Sequence, residues 1–295
     1  MTDPTDPRPT RVAVAQLDLA PGALEANRRR TVAAVLDAGR GGAELVVLPE
    51  LASSGYRLRS AEAVDAAAEE IPGPATEAWR AAAAEAGCVV VGGICERRGG
   101  DRFNAVAVVG AEGVLAVYRK LHLFDEEKLL FTPGDAGLPV VDLPLGRIGV
   151  LVCYDLRFVE ALRVLALRGA DLIAVPTAWV GGFDAAAPAD GIIDQVRGAA
   201  VQANLSGVFV AAASRTGSDG DLRYLGQSCV VDPYGRFALE PRAVGEESVS
   251  VVEIDVAAAR RAKVRAPRIR PLEDRRTDVY APLLGYDPAA APPSR

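Results

Sequence analysis

The chain has one histidine in 295 residues, so a cysteine–histidine pair can draw on His122 and on no other imidazole. Four cysteines, Cys88, Cys95, Cys153 and Cys229, show no CxxC spacing, which argues against a zinc site or a redox pair. A core of this size does not need disulfides, and no early segment has the basic start and long apolar stretch of a secretory signal. A reducing, cytoplasmic compartment is the expectation. Nowhere do about 18 uninterrupted apolar residues occur, so no membrane span is expected. Lys and Arg number 33 against 39 Asp and Glu, a formal net charge of -6, and no basic stripe recurs. Nucleic acid is therefore set aside as a partner. The densest basic stretch, Arg260 to Arg276, is broken by Pro267 and Pro271 and reads as a solvated connection. Long linkers and convincing repeats are absent too. One domain is expected over 8–280, with residues 281–295 as a loose Pro- and Ala-rich tail.

What the chain does have is apolar sequence, half of all residues, in alternating strand and helix patterns. Strands are expected over Arg11 to Leu17, Glu44 to Leu48, Cys88 to Ile94, Arg147 to Val152, Asp171 to Val175 and Val208 to Ala213, with later ones over Gln227 to Val231 and Ser248 to Ile254. Helical spacing runs through Ala23 to Ala38, Thr76 to Ala86, Val159 to Arg168 and Asp190 to Asn204. A hairpin turn, Gly110 to Gly113, joins Phe103–Val109 to Val114–Arg119. Helices between strands, interleaved with hairpins, predict an α/β fold with mixed rather than purely parallel sheets.

Three reactive groups each follow a buried strand. Glu50 follows Val46-Val47-Leu48-Pro49, Lys120 ends the run from Val114, and Cys153 follows Ile148 to Val152. If those strands are neighbours, carboxylate, ammonium and thiol converge in one cleft. A thiol of ordinary pKa, about 8.5, is mostly protonated at neutral pH. A neighbouring carboxylate can take its proton during attack, and Lys120 with the backbone N–H of Tyr154 can hold the oxyanion formed on a carbonyl. With one histidine available, Glu50 is the natural base. Taken singly, each residue has a plainer reading. Glu50 is then a capping carboxylate, Lys120 a surface lysine and Cys153 an inert small hydrophobe, as Cys88, Cys95 and Cys229 are taken to be; His122 is read as a structural loop residue.

Together, the segments resemble the nitrilase superfamily of carbon–nitrogen hydrolases, in its amidase branch. They are Leu48-Pro49-Glu50 with Gly55-Tyr56, Tyr118-Arg119-Lys120-Leu121-His122-Leu123-Phe124, and Gly149 to Phe158. Supporting matches are Phe131-Thr132-Pro133-Gly134-Asp135, Gly169 to Trp179, Asp232-Pro233-Tyr234-Gly235 and Arg275 to Tyr280. The resemblance implies a four-layer α-β-β-α sandwich and a Glu50–Lys120–Cys153 triad of base, oxyanion stabiliser and nucleophile. It also implies a second glutamate, best matched by Glu127 with Glu126 as fallback. Subunits that pair as a homodimer or higher homo-oligomer follow from it, and no metal or organic cofactor is needed.

The implied reaction is hydrolysis of a non-peptide C–N bond in a small linear amide, with removal of an N-carbamoyl group as the alternative. A non-catalytic binding module on the same scaffold is the reading from a different class; the intact triad speaks against it. Cys153-Tyr154-Asp155 departs from the Cys-Trp-Glu usual in true nitrilases. Val159 stands where family members often have proline, although Glu160 remains, and the loop from Val180 to Pro188 carries no recognisable substrate signature. Tyr56, Phe158 and Trp179 are candidate pocket walls, with core packing as their other reading. Arg157 is read as pairing with Asp155 in preference to contacting a substrate carboxylate.

Overall fold

In the first strand, β1 (Pro9–Gln16), Val12 and Val14 face one way and Ala13 and Ala15 the other, and all four are wholly buried. A strand buried on both faces needs a layer on each side. Val12 and Val14 join a core shared with a second sheet, whereas Ala13 and Ala15 join one shared with helices. The computed structural model describes residues 9–182, 189–280 and 284. The tail expected over 281–295 and part of the loop over 180–188 therefore lie largely outside the described residues.

After β1 come α1 (Leu24–Arg40), β2 (Leu45–Val47), α2 (Ala61–Ala67), α3 (Pro74–Ala86), β3 (Val89–Arg98), β4 (Asp101–Gly110), β5 (Gly113–Arg119) and the single turn α4 (Glu127–Leu130). The second half supplies β6 (Val140–Leu143), β7 (Gly146–Val150), a 3-10 turn over Cys153–Arg157, α5 (Val159–Leu167), β8 (Leu172–Thr177), α6 (Asp194–Ser206) and β9 (Phe209–Ser214). A small hairpin follows, β10 (Ser218–Asp219) and β11 (Leu222–Arg223), then β12 (Cys229–Val231), β13 (Phe237–Leu239), β14 (Ser248–Asp255), α7 (Ala257–Ala262) and α8 (Thr277–Tyr280). Local chemistry sets several boundaries. Pro74 opens α3, and Gly87 and Gly207 close α3 and α6 in the left-handed conformation.

The strands form two six-stranded mixed sheets, ordered β14-β1-β2-β3-β4-β5 and β13-β12-β9-β8-β7-β6. Both sheets follow one pattern: an antiparallel edge strand, three parallel strands, then two antiparallel ones. The architecture repeats although the sequence shows no repeat. Helices α1 and α3 cover the first sheet, and α5 and α6 cover the second. The inner faces of the two sheets share a core, and the layers stack α-β-β-α.

The basic stretch near the C-terminus differs from its reading as a solvated connection. Arg260 lies on α7 and makes hydrogen bonds of 2.7 to 3.2 Å with Asp171, whose side chain is fully buried. Lys263 donates to the carbonyl of Ala170 at 2.7 Å, and Arg265 to that of Asn204, in the last turn of α6, at 2.6 Å. Cations suit a helix C-terminus, where carbonyls lack intrahelical donors. The segment clamps the second helical layer to its sheet. Among the described residues, no helix is long and apolar enough to cross a membrane.

Candidate active site

The parallel strands β2 and β7 end at the same edge of the sandwich. Past β2 the chain turns at Pro49 and delivers Glu50, whose backbone N–H donates to the carbonyl of Thr177, at the end of β8, at 3.3 Å. That bond ties the two sheets together at the site. Glycine permits the turn: a Cβ on Gly93 of β3 would lie 2.5 Å from the carbonyl oxygen of Pro49 and 2.7 Å from the backbone of Glu50. A Cβ on Gly134 would run into the backbone carbonyl of Arg119, and Gly134 N–H donates to the carbonyl of Lys120 at 2.9 Å. Cys153 follows β7 with φ of 41°, a left-handed conformation that costs a non-glycine residue about 1–3 kcal/mol and persists when its surroundings enforce it. Asp155 does the enforcing. It accepts from Val152 N–H (3.0 Å), Tyr118 Oη (2.7 Å), His122 N–H (3.1 Å) and His122 Nδ1 (2.8 Å).

Lys120 is the hub. Its Nζ lies 2.7 Å from Glu50 Oε1 and 2.8 Å from Glu127 Oε2, with all three side chains buried. Glu127 is also held by Tyr56 Oη at 2.7 Å and by Phe124 N–H at 3.1 Å, while Glu126 is exposed. Asn104 Nδ2 donates to Glu50 Oε1 at 2.7 Å, so one oxygen of Glu50 is doubly held. The other, Oε2, is buried and has no hydrogen-bond partner among the described residues. Burial raises the pKa of Glu50, the charge of Glu127 adds to that, and Lys120 opposes it; the carboxylate is more basic than usual. Burial alone would lower the pKa of Lys120, but the charges of Glu127 and Glu50 outweigh it and the ammonium stays charged. The Cys153 thiol is pushed up by burial and by Glu50, with Lys120 pulling it down. The resting thiol is therefore neutral, and the glutamate in its electrostatic neighbourhood is more basic than usual.

Half-buried Cys153 opens onto a cleft walled by Tyr56, Phe124, Tyr154 and Trp179 and bordered by Arg157 and Asp194. Phe158 is not among its lining residues. It stacks on His122, ring centroids 3.5 Å apart, and meets Tyr154 edge-on at 5.3 Å. His122 thus belongs to the scaffold under the turn that carries Cys153. The oxygens of Asp155 are engaged by the groups named above, and Arg157 is exposed at the cavity mouth. The N–H of Tyr154 lies in the first turn of the 3-10 helix, where amides lack intrahelical acceptors. Among the described residues, no cluster of His, Cys, Asp and Glu is arranged to hold a metal ion. Sequence reasoning missed Asn104, Gly93 and Gly134. The signals were a lone asparagine in the apolar strand Phe103–Val109, and glycines where a strand or turn has no other need of them.

Residues 11–264 match the carbon-nitrogen hydrolase family. The chain belongs to that family. A nitrilase from Pyrococcus abyssi is 36% identical over 276 residues, covering 91% of this chain and 99% of its own length. An omega-amidase from Bos taurus is 34% identical, covering 92% and 96%. Among solved structures, a double mutant of the amidase from Nesterenkonia sp. AN1 in complex with acrylamide superposes with a TM-score of 0.75 and 29% identity, over 93% of this chain and 97% of the other. A further structure of that amidase shows the acetamide moiety of fluoroacetamide added covalently at its active-site cysteine. The present chain is accordingly an amidase-type carbon–nitrogen hydrolase of the nitrilase superfamily.

For this enzyme the close approach at Gly93 is a direct handle on Glu50. Gly93→Ala must push the Pro49–Leu51 backbone away, and a displacement near 1 Å costs about 100-fold in rate. We expect kcat/KM on a small amide to fall by about that factor while thermal unfolding stays cooperative; an unchanged kcat/KM would remove Gly93 from the positioning of Glu50.

Proposed function

We propose that the enzyme hydrolyses a small linear amide through a thioester on Cys153, with Glu50 as base and acid, Lys120 and the Tyr154 N–H as oxyanion donors, and Glu127 positioning Lys120. The observation that carries this reading is the orphaned oxygen of Glu50. Its partner oxygen is fixed by Lys120 and Asn104, leaving Oε2 as the open acceptor in the electrostatic neighbourhood of the thiol. A buried unpartnered carboxylate oxygen is costly, and a proton-transfer role accounts for its retention.

In the first half-reaction the sulfur forms a bond to the amide carbon, the thiol proton passes to Glu50, and the carbonyl π pair moves to oxygen. Collapse of that intermediate breaks the C–N bond, and the nitrogen leaves as ammonia with the proton held by Glu50. Water then attacks the thioester and gives a proton to Glu50; collapse expels the sulfur, which recovers that proton, and releases the carboxylic acid. Amide and water become acid and ammonia, and Glu50 ends as it began. The covalent adduct at the cysteine of the related amidase supports the nucleophile assignment. The narrow cleft, walled by aromatic side chains with charged groups at its mouth, suits a short acyl chain.

We further infer that the enzyme works as a homodimer or higher homo-oligomer. Val159, Leu167, Val201 and Leu205 are exposed on the adjacent helices α5 and α6, an apolar face that a second copy would cover.

Ammonia release from short linear amides is the primary test. Cys153→Ala should lower it to below about a thousandth of wild type, and Glu50→Gln should slow acylation by about 10²–10⁴-fold. Full activity in either variant contradicts the assignment, and turnover of carbamoylated amines without simple amides would shift the substrate class. Light scattering after size exclusion should give a mass of at least two chains, falling to one in Val201→Asp/Leu205→Asp. A monomeric wild type would contradict the pairing.

A further inference from the structure

Beside the nucleophile stands a hydroxyl that the mechanism above does not use. Strands β7 and β8 run parallel with Ile148 opposite Leu172, Gly149 opposite Ile173 and Val150 opposite Ala174, and Leu151 N–H still donates to Ala174 O at 3.1 Å. Three residues beyond Val150 is Cys153; three beyond Ala174 is Thr177. Thr177 is wholly buried, and its hydroxyl oxygen has no hydrogen-bond partner among the described residues. Its main chain is fixed from two sides, because its carbonyl accepts Glu50 N–H at 3.3 Å and Arg215 N–H at 3.0 Å. Branching at Cβ further restricts the side chain. A buried strand threonine ordinarily satisfies its hydroxyl locally; this one is left open next to the reacting thiol.

We propose that Thr177 donates a hydrogen bond to the Cys153 sulfur as negative charge collects there, when the thiol loses its proton during attack and again when the sulfur leaves the thioester. The hydroxyl keeps its proton throughout, and no bond to it forms or breaks. Burial raises the thiol pKa, and the donors of Thr177 and of the Ala178 amide, placed toward the sulfur, act to lower it. Thr177 thus offsets part of the desolvation that the largely buried Cys153 thiol suffers. The inference rests on the reading of Cys153 as the acylated nucleophile.

Thr177→Val keeps the shape and removes the donor; Thr177→Ser keeps the donor. The probe is iodoacetamide, with alkylation at Cys153 followed by peptide mass spectrometry across pH, alongside steady-state ammonia release. In Thr177→Val we expect the alkylation profile to move to higher pH by about one unit and kcat to fall about tenfold with KM little changed. Thr177→Ser should restore both to within about threefold. A valine variant with the wild-type alkylation profile, or a serine variant as impaired as valine, overturns the proposal. The shift without any amide turnover in the wild type would uphold the hydrogen bond and instead sink the amidase reading.

Discussion

A buried ammonium shared by two carboxylates organises this protein. Lys120 cannot be taken out of water unless Glu50 and Glu127 meet it, and neither acid tolerates the interior without Lys120. Removing one partner of such a cluster typically costs about 3–5 kcal/mol, so the fold is under pressure to keep the three together whatever the reaction requires. The same arrangement sets the chemistry. The cluster holds one glutamate oxygen and leaves the other open, while burial makes that glutamate more basic and the thiol harder to ionise. In the proposed reaction, a thiol that does not ionise by itself needs its proton removed in step with attack, which is general-base rather than ion-pair activation.

The two sheets explain how distant residues meet. Each carries three central parallel strands, and β2, β7 and β8 bring Glu50, Cys153 and Thr177 to the shared edge, with Lys120 entering from the end of β5. Where the sheets touch at this edge, backbone bonds replace side-chain packing: Glu50 N–H reaches Thr177 O, and Thr216 N–H reaches Leu17 O. The site is therefore built on rigid strand ends. The flanking glycines Gly93 and Gly134 allow the intervening turns to lie flat against their neighbours.

Much of this was legible in the sequence, and for a physical reason. Glu50, Lys120 and Cys153 each interrupt a strongly apolar run, and a charged or reactive group at the end of a buried strand has few places to go. The turn that carries Cys153 was only half legible. Tyr154, Tyr56 and Trp179 line the cavity, but Phe158 stacks on His122, and Cys153 takes a left-handed backbone that no spacing rule foretells. Asn104 lies 54 residues from the carboxylate it holds, so its role exists only once β4 is paired. The edge strands β6 and β13 are short and half-exposed and lack a clear alternation. Helix α6 begins at Asp194 rather than near Asp190, because Asp190 is engaged with Ile192 N–H and Arg197 and leaves Ile193 extended. In the basic segment after β14, charge concealed a short helix whose arginine answers a buried aspartate on the far side of the chain.

The central claim is that Glu50, and not prior ionisation of the thiol, sets Cys153 in motion. The pH dependence of acylation, followed by rapid quench and intact-protein mass spectrometry with a small amide, tests it most directly. The account predicts a rate that falls on the acid side through one protonation centred above the ordinary carboxylate value of 4.5 and loses this profile in Glu50→Gln. A rate that instead climbs toward pH of about 8.5 as thiolate forms, alike in wild type and Glu50→Gln, would contradict it.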